Sequence, residues 1–375
     1  MLRLQRVAAS AVAAATIMGT GLAMTAPASA STHPSFIGKF SQLKTIASTV
    51  PRNGDVNPYG VAVVRDSLGK LHRGDVLVSN FNNMANQQGT GTTIVEVSPS
   101  GHRTLFARIT KSHLTGRCPG GIGLTTALAI LRGGWVVVGS TPSKNGMVAT
   151  SGPGCLIVLD SHGTVRETIS GHGINGPWDM TTFSFGDRFA ELFVTNVLNG
   201  VVKANGGVVH RGTVLRLLVR VHLNSPPDLL AVTKIGSGFF EQGSATAFVI
   251  GPTGLGLGEN GTLYVADTGK NRITGIPNAV RRRTSAGTGF VLTSGGKLNG
   301  PLGLAIAPND DVLTVNASDG LIVETTRHGA QVASFLLDNS GSPPGSGALF
   351  GLAVAPQGSG VYYVDDATNF LRLLH

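Results

Sequence analysis

The sequence predicts an all-β fold, a six-bladed β-propeller whose last blade is completed by an N-terminal strand. Three observations lead to this prediction. Six segments share one order of strand, tight turn, strand and polar turn. Glycine supplies 53 of the 375 residues and charged residues only 13%, as expected for many short strands joined by tight turns. The sixth segment stops at His375, one strand short of a four-stranded unit.

The clearest repeat unit spans residues 251–273 and reads GPTGLGLGENGTLYVADTGKNRI. A Pro-x-Gly motif opens a strand at 255–257, and a Glu-Asn-Gly turn leads to a second strand at 262–266. Asp267 and a polar turn then lead to a third strand. This order is the start of an antiparallel meander.

The same order recurs in five other places, with variants of the motif at residues 58–60, 119–121, 177–179, 300–303 and 349–351. The third motif residues stand at 60, 121, 179, 254, 303 and 351, so the spacings are 61, 58, 75, 49 and 48. The two shorter spacings fit four-stranded propeller blades, and the longer ones require loop insertions.

Fourth strands are predicted at residues 104–109, 164–169, 230–235, 289–293 and 331–337. The sixth unit lacks one, and the alternating segment 42–49 can supply it. Closing the ring in this way removes two free sheet edges, which are aggregation hazards. We therefore expect residues 31–375 to form a single propeller domain.

Residues 1–30 have the order of a cleavable signal peptide: Arg3 and Arg6, an alanine-rich apolar run, then the small residues Ala28, Ser29 and Ala30. No cysteine precedes Cys118, so a lipid anchor is not expected. Every later apolar run is too short to span a bilayer. We expect a secreted or periplasmic protein without a membrane span.

The two cysteines, Cys118 and Cys155, are predicted to form a disulfide, as pairs in exported chains usually do. The net charge is +9, or +7 without the two arginines of the signal peptide. A basic exterior suits an anionic envelope polymer, or it serves solubility alone. Nucleic acid is not an expected partner, because the chain is exported and lacks basic patches with interleaved aromatic residues.

The unit at 251–273 resembles the NHL repeat, and the resemblance covers most of residues 42–375. It implies a propeller related in fold to gluconolactonase and senescence-marker hydrolases, strictosidine-synthase-like proteins and some bacterial sensor domains. This fold serves both enzymes and binding modules, so it does not decide the function. The lactonase-like members hold a divalent metal with Glu, Asn and Asp at the middle position of the motif. Here that position is occupied by Tyr59, Gly120, Trp178, Thr253, Leu302 and Phe350.

Two sets of side chains are expected to share one mouth of the ring, because first strands begin where second strands end. The first is the middle-position set, in which Tyr59, Trp178 and Phe350 either contact a ligand or plug the axis. The second set ends the second strands, and its Asn and Asp members either bind a ligand or cap turns. The candidates of this set are Asn80, Asn196, Asp267, Asn316 and Asp365.

Asp179 takes the place of the motif glycine beside Trp178. A carboxylate near the axis must find hydrogen-bond donors or shift its pKa, so it is either a ligand-binding or metal-binding acid or a structural cap. Asp179, Asp267 and Asp365 are possible metal ligands, but no set of ligands converges in the sequence. The only cofactor that the sequence suggests is a divalent metal.

No catalytic motif is present, so we expect a non-catalytic binding or scaffold module that holds a small molecule, glycan or protein at the central mouth. The alternative is a metal-dependent hydrolase or lyase of the lactonase-like group, with Asp179 in its site. The arginine run 281–283 is assigned to a loop, where it is either a solvated part of the rim or a binding site for a polyanion.

Overall fold

A computed structural model describes residues 34–375. Its strands form six antiparallel sheets. The first strand of each sheet contacts the first strand of the next, and the last sheet returns to contact the first. This ring is the six-bladed β-propeller that the sequence predicts. The predicted signal peptide lies outside the described residues.

The strands follow one another in blade order, apart from the first. Strand β1 (Leu43–Ser48) precedes blade 1, which contains β2 (Val56–Val63), β3 (Val76–Asn82), β4 (Thr93–Val97) and β5 (Arg103–Arg108). Blade 2 contains β6 (Leu124–Leu131), β7 (Trp135–Ser140), β8 (Cys155–Leu159) and β9 (Val165–Ile169). Blade 3 contains β10 (Gly176–Phe185), β11 (Phe189–Val197), β12 (Val208–Arg220), β13 (Asp228–Ser244) and β14 (Phe248–Ile250).

The last three blades are more regular. Blade 4 contains β15 (Pro252–Leu257), β16 (Leu263–Asp267), β17 (Arg272–Ile276) and β18 (Phe290–Ser294). Blade 5 contains β19 (Pro301–Ile306), β20 (Val312–Asn316), β21 (Leu321–Thr325) and β22 (Gln331–Leu336). Blade 6 contains β23 (Leu349–Val354), β24 (Val361–Asp365) and β25 (Phe370–Leu374).

The helices of the described residues are short. One α-helix, α1 (Val201–Ala204), lies in blade 3. None of these helices is long and apolar enough to cross a membrane. Single 3₁₀ turns occupy Ile37–Lys39, Lys111–His113, Arg132–Gly134, Val148–Thr150, Thr268–Lys270, Ala279–Arg281 and Pro356–Gly358.

Blade 3 accounts for the longest repeat spacing. Its third and fourth strands extend far beyond the predicted fourth strand at 230–235, because β12 and β13 pair from Arg220 and Asp228 to Val208 and Gln242. The extension turns back into β14, which pairs with the end of β13. The insertion therefore builds a projecting hairpin at the end of the ring where first strands begin.

The sheet of blade 6 has the order β1-β25-β24-β23, so its outermost strand comes from the N-terminal side of the chain. Leu43 lies opposite Leu374, and Ser48 lies opposite Phe370. Just beyond the strand, the Thr49 N–H donates to the Asn369 carbonyl at 2.9 Å. Upstream of β1, the Phe36 and Ile37 N–H groups donate to the Glu324 carboxylate of blade 5 at 2.6 and 2.8 Å.

The hydrophobic core lies between neighbouring sheets. One cluster joins blades 2 and 3 through Val137 and Leu192, and another joins blades 1 and 6 through Val78 and Val364. Hydroxyl groups add a polar link near the axis, since Ser79 accepts from the Gly60 N–H and donates to the Thr125 carbonyl of the next blade. Apolar packing and these hydroxyl hydrogen bonds together fix the distance between neighbouring first strands.

Cys118 and Cys155 form a disulfide, which confirms the predicted pairing. The bond joins the loop before β6 to the first residue of β8, within blade 2. It closes a sequence separation of 37 residues. The bond therefore ties the loop before β6 to the third strand of the blade.

Candidate functional site

Five aromatic rings meet at the end of the ring where first strands begin. The Tyr59 ring stacks on Phe81 and Phe350 with centroid distances of 4.5 and 4.0 Å, and Trp178 meets the Tyr59 ring edge-on at 5.9 Å. Phe248, from the blade 3 insertion, stacks on Trp178 at 6.2 Å. The repeat pattern therefore correctly predicts that Tyr59, Trp178 and Phe350 converge.

These rings close the axis and do not form an open mouth. Tyr59 is 1% exposed and Trp178 3% exposed, and only Phe350 is half-buried. The blade 3 insertion covers the cluster, with Phe248 and the α1 residue Val201 packed against it. Of the two alternatives for these residues, ligand contact or a plug of the axis, the structure favours the plug, because the rings pack against one another and the insertion covers them.

The side chains that end the second strands are buried and hold neighbouring strands or turns. Asp267 accepts from Arg272 at 2.8 Å, and Asp365 lies 3.0 Å from the guanidinium of Arg372, so the same ion pair recurs in blades 4 and 6. The amide nitrogen of Asn196 donates to Thr213 at 3.0 Å. The remaining two act similarly: Asn80 donates to Thr49 and Thr93, and Asn316 to Lys297 and Asp319. Ligand binding by this set stays a prediction.

A cavity of about 1590 Å³ lies along the axis beyond the aromatic cluster. All six first strands line it, and so do the loops that follow several of them. The half-buried side chains of its walls are mainly aliphatic, with threonines on blades 2 and 3, but polar and apolar atoms line the cavity about equally. Wall residues include Val63, Thr126, Ile130, Thr181, Ile306 and Ala353. The accessible part of the axis therefore lies at the end opposite to the predicted mouth.

Asp179 lies at the closed end of this cavity, one residue after Trp178 of the aromatic cluster. One carboxylate oxygen accepts from the Met180 N–H at 2.8 Å, and the other accepts from the Leu255 N–H of blade 4 at 3.2 Å. Burial raises the pKa of Asp179 to about 8, although these two hydrogen bonds act in the opposite direction. At neutral pH the group is therefore mainly a neutral acid, which has one O–H to donate.

The presence of a carboxylate at this position has a steric explanation. At the equivalent position in blades 5 and 6, a Cβ added to Gly303 or Gly351 would lie 2.0 or 2.1 Å from a carbonyl oxygen of the next blade. Asp179 instead faces the Leu255 N–H, a donor, so a side chain is accommodated there. Where blades 5 and 6 have a glycine in close backbone contact with the next blade, blade 3 thus has a polar side chain, Asp179, that lines the cavity.

Positive charge is concentrated at the open end. Arg65, Arg73 and Arg132 line the cavity there and are exposed, together with the acidic residue Asp66. Arg132 also pairs with Asp187. The cavity thus has a wall of mixed polarity, a single buried acid at its base, and a rim with three arginines, one of them paired with Asp187, and one aspartate. A charged group of a bound molecule would be best placed at the rim, where it stays partly hydrated.

The middle-position residues do not fit a lactonase-type metal centre. Of this set only Thr253 offers a hydroxyl on a non-aromatic side chain, and it is bonded to Thr268 and to backbone carbonyls. Asp267 and Asp365 are paired with arginines, so a metal there would have to displace a guanidinium. Within residues 34–375, one group of three His, Cys, Asp or Glu side chains brings its ligand atoms close enough together to share an ion. Asp179 is not a member of that group.

No protein-family model matches this sequence, and no curated protein matches it either. Solved structures do match in fold. A gluconolactonase from Xanthomonas campestris has a TM-score of 0.55 at 14% identity, covering 89% of this chain and 88% of that one. Regucalcin from Agrobacterium tumefaciens, described as a calcium-binding protein, has a TM-score of 0.53 at 15% identity, covering 88% and 93%. At these identities the likeness establishes the six-bladed propeller fold.

The sequence indicated Asp179 as unusual but could not indicate the cavity it faces. The rim arginines Arg65, Arg73 and Arg132 follow first strands without any shared motif, so no sequence signal distinguishes them from ordinary loop residues. Phe81 and Phe248 were also missed, since neither belongs to the Pro-x-Gly motif. Their roles depend on where the blade 3 insertion folds back.

Proposed function

We propose that the chain is an exported, non-catalytic binding propeller of the NHL-repeat type that takes one amphipathic small molecule in its axial cavity. The observation that carries the proposal is an axial cavity that has aliphatic side chains among its walls, polar atoms over about half of its lining, and the neutral acid Asp179 at its closed base. A folded protein is too large to enter a cavity of about 1590 Å³, whereas a glycan is the alternative occupant, because polar atoms form about half of the lining.

Each part of the cavity has a distinct contribution to recognition. Apolar wall area contributes roughly 25 cal/mol for each Å² removed from water. The protonated Asp179 carboxyl can donate to a hydroxyl, carbonyl or ether oxygen at the inner end of the ligand, and its two backbone hydrogen bonds keep it oriented. The rim arginines then suit a carboxylate, sulfonate or phosphate at the outer end.

The test uses 8-anilinonaphthalene-1-sulfonate, an apolar fluorophore with one anionic group, and laurate as a competitor. We expect the probe to bind the purified protein at one saturable site and laurate to displace it. Ala353→Phe, which narrows the cavity, should weaken probe binding at least about tenfold. Ala85→Phe places the same ring on an exposed loop at the other end and is the matched control.

Equal probe binding by wild type, Ala353→Phe and Ala85→Phe would refute the cavity as the binding site. Mass spectrometry of laurate and of hydroxylated or esterified analogues, after incubation with the protein, separates binding from catalysis. Recovery of every compound unchanged supports a binding protein. Conversion of an ester, with loss of turnover in Asp179→Asn, would instead support the hydrolase alternative.

A further inference from the structure

A second cluster of polar side chains lies on blade 1, apart from the aromatic cluster and from Asp179. His72 and Asp75 stand just before β3, and Glu96 lies in the middle of β4. One ligand atom from each of the three lies within 4.8 Å of the other two. Arg73 and Gly74, between the first two, line the open end of the axial cavity.

The three side chains differ in exposure in a way that suits a bound ion. The Glu96 side chain is 2% exposed, whereas that of His72 is 65% exposed. The His72 N–H donates to one Glu96 oxygen at 2.8 Å, and its ring Nδ1 lies 3.1 Å from the other. The buried carboxylate is therefore fixed in place, and the imidazole faces solvent, from which an ion can enter.

The two carboxylates have little permanent positive charge beside them: Glu96 pairs with the His72 ring, which is charged only when protonated. In the described part of the chain, neither Glu96 nor Asp75 forms an ion pair with a lysine or arginine, and the Asp75 carboxylate accepts no hydrogen bond. His102, a second exposed histidine, also interacts electrostatically with Asp75. Burying a carboxylate next to another is costly unless a cation compensates.

We propose that His72, Asp75 and Glu96 form a binding site for one divalent transition-metal ion, with Zn²⁺ as the best match. One imidazole and two carboxylates supply three ligands, and a solvent molecule can complete a four-coordinate site. The imidazole favours zinc over calcium and magnesium, which prefer sets made only of oxygen. The ion would join the loop at the cavity rim to β4.

The site is tested by Zn²⁺ titration of the full chain, purified without a histidine tag and stripped with a chelator. We expect one tightly bound Zn²⁺ per chain and much weaker Ca²⁺ binding. His72→Ala and Asp75→Asn should each weaken zinc at least about tenfold. His162→Ala removes another exposed histidine and should leave the affinity unchanged.

Thermal melting in the presence of chelator verifies that each variant is folded, and zinc should raise the melting temperature of wild type and of His162→Ala but not of His72→Ala. Co²⁺ provides an independent readout, since its visible absorption should depend on His72. The proposal is overturned if His72→Ala binds zinc as wild type does, if His162→Ala loses as much affinity, or if the wild type holds no stoichiometric zinc.

Discussion

The Asp179 carboxylate on blade 3 accepts a hydrogen bond of 3.2 Å from the Leu255 N–H on blade 4, so a titratable group takes part in a contact between blades. Because burial raises the pKa of Asp179 to about 8 from 3.8, the folded state binds its proton more tightly than the unfolded state. Its stabilising contribution is complete below about pH 4 and is lost as the pH rises towards 8.

Asp179→Asn should therefore flatten the pH dependence of stability. At pH 5 the variant should be less stable by about 1 kcal/mol, because one backbone N–H loses its acceptor. At pH 8.5 it should equal or exceed wild type, since the ionised carboxylate is costly to bury. Urea unfolding at several pH values measures this crossover. Glu241 and Asp366, whose pKa values burial also raises, to about 8 and 7, are present in both proteins and cancel in the comparison. If the unfolding free energies of the two proteins changed with pH in parallel, the raised pKa would not belong to Asp179.

Trp178→Ala should destabilise the fold, because the ring is buried among Tyr59, Phe81 and Phe248. The expected loss is about 3–5 kcal/mol of unfolding free energy, as for other large aromatic residues removed from a core. Arg283→Ala, at an exposed position of the arginine run, is the control and should change stability by less than about 0.5 kcal/mol. A Trp178→Ala protein as stable as the control would show that the aromatic cluster does not close the axis in solution.

Removing the disulfide should loosen blade 2. Because Cys118 and Cys155 are separated by 37 positions, the double change Cys118→Ser and Cys155→Ser should cost about 4 kcal/mol, mainly by freeing the unfolded chain. Thermal unfolding with and without reductant measures the loss. Reductant should lower the melting temperature of wild type to that of the double variant and leave the variant unchanged; a reductant-insensitive wild type would argue against a bonded pair.

Truncation tests the role of β1 in blade 6. A chain that begins at Pro51 lacks this strand and should expose the edge of β25, which leads to aggregation. A chain that begins at Pro34 retains β1 and the contacts of Phe36 and Ile37 with Glu324, and should remain monodisperse. Size-exclusion chromatography and melting temperature compare the two. Identical behaviour would mean that β1 contributes little to closing the ring.

The repeat pattern predicted the fold because each blade carries its own local signals. The strands predicted at 104–109, 262–266 and 289–293 were placed to within one residue at each end. The pairing of Asp267 with Arg272 follows from a short polar turn. These features depend on residues close together in the sequence. The boundaries of β13 failed, because that strand is lengthened by pairing with β12 and not by its own composition.

The location of the cavity could not be predicted in the same way. Repeats define two ends of a ring but do not say which end is closed. That depends on how Phe248, more than sixty positions after Trp178, folds back over it. Likewise His72 and Glu96 meet only because β3 and β4 are paired, and their spacing matches no known ligand motif. Long-range packing decides both sites.

The pairing of β1 with β25 also orders events in time. Ser48 and Phe370 lie opposite each other, and Thr49 bonds to Asn369, which is 320 positions later in the chain. During synthesis the earlier strand emerges first and must wait, unpaired, until nearly all the rest has been made. Five blades can form progressively behind it, but the sixth is a late, slow step with a large loop-closure cost. The backbone N–H and C=O groups of β1 therefore stay without their strand partner until the last strand of the chain is available.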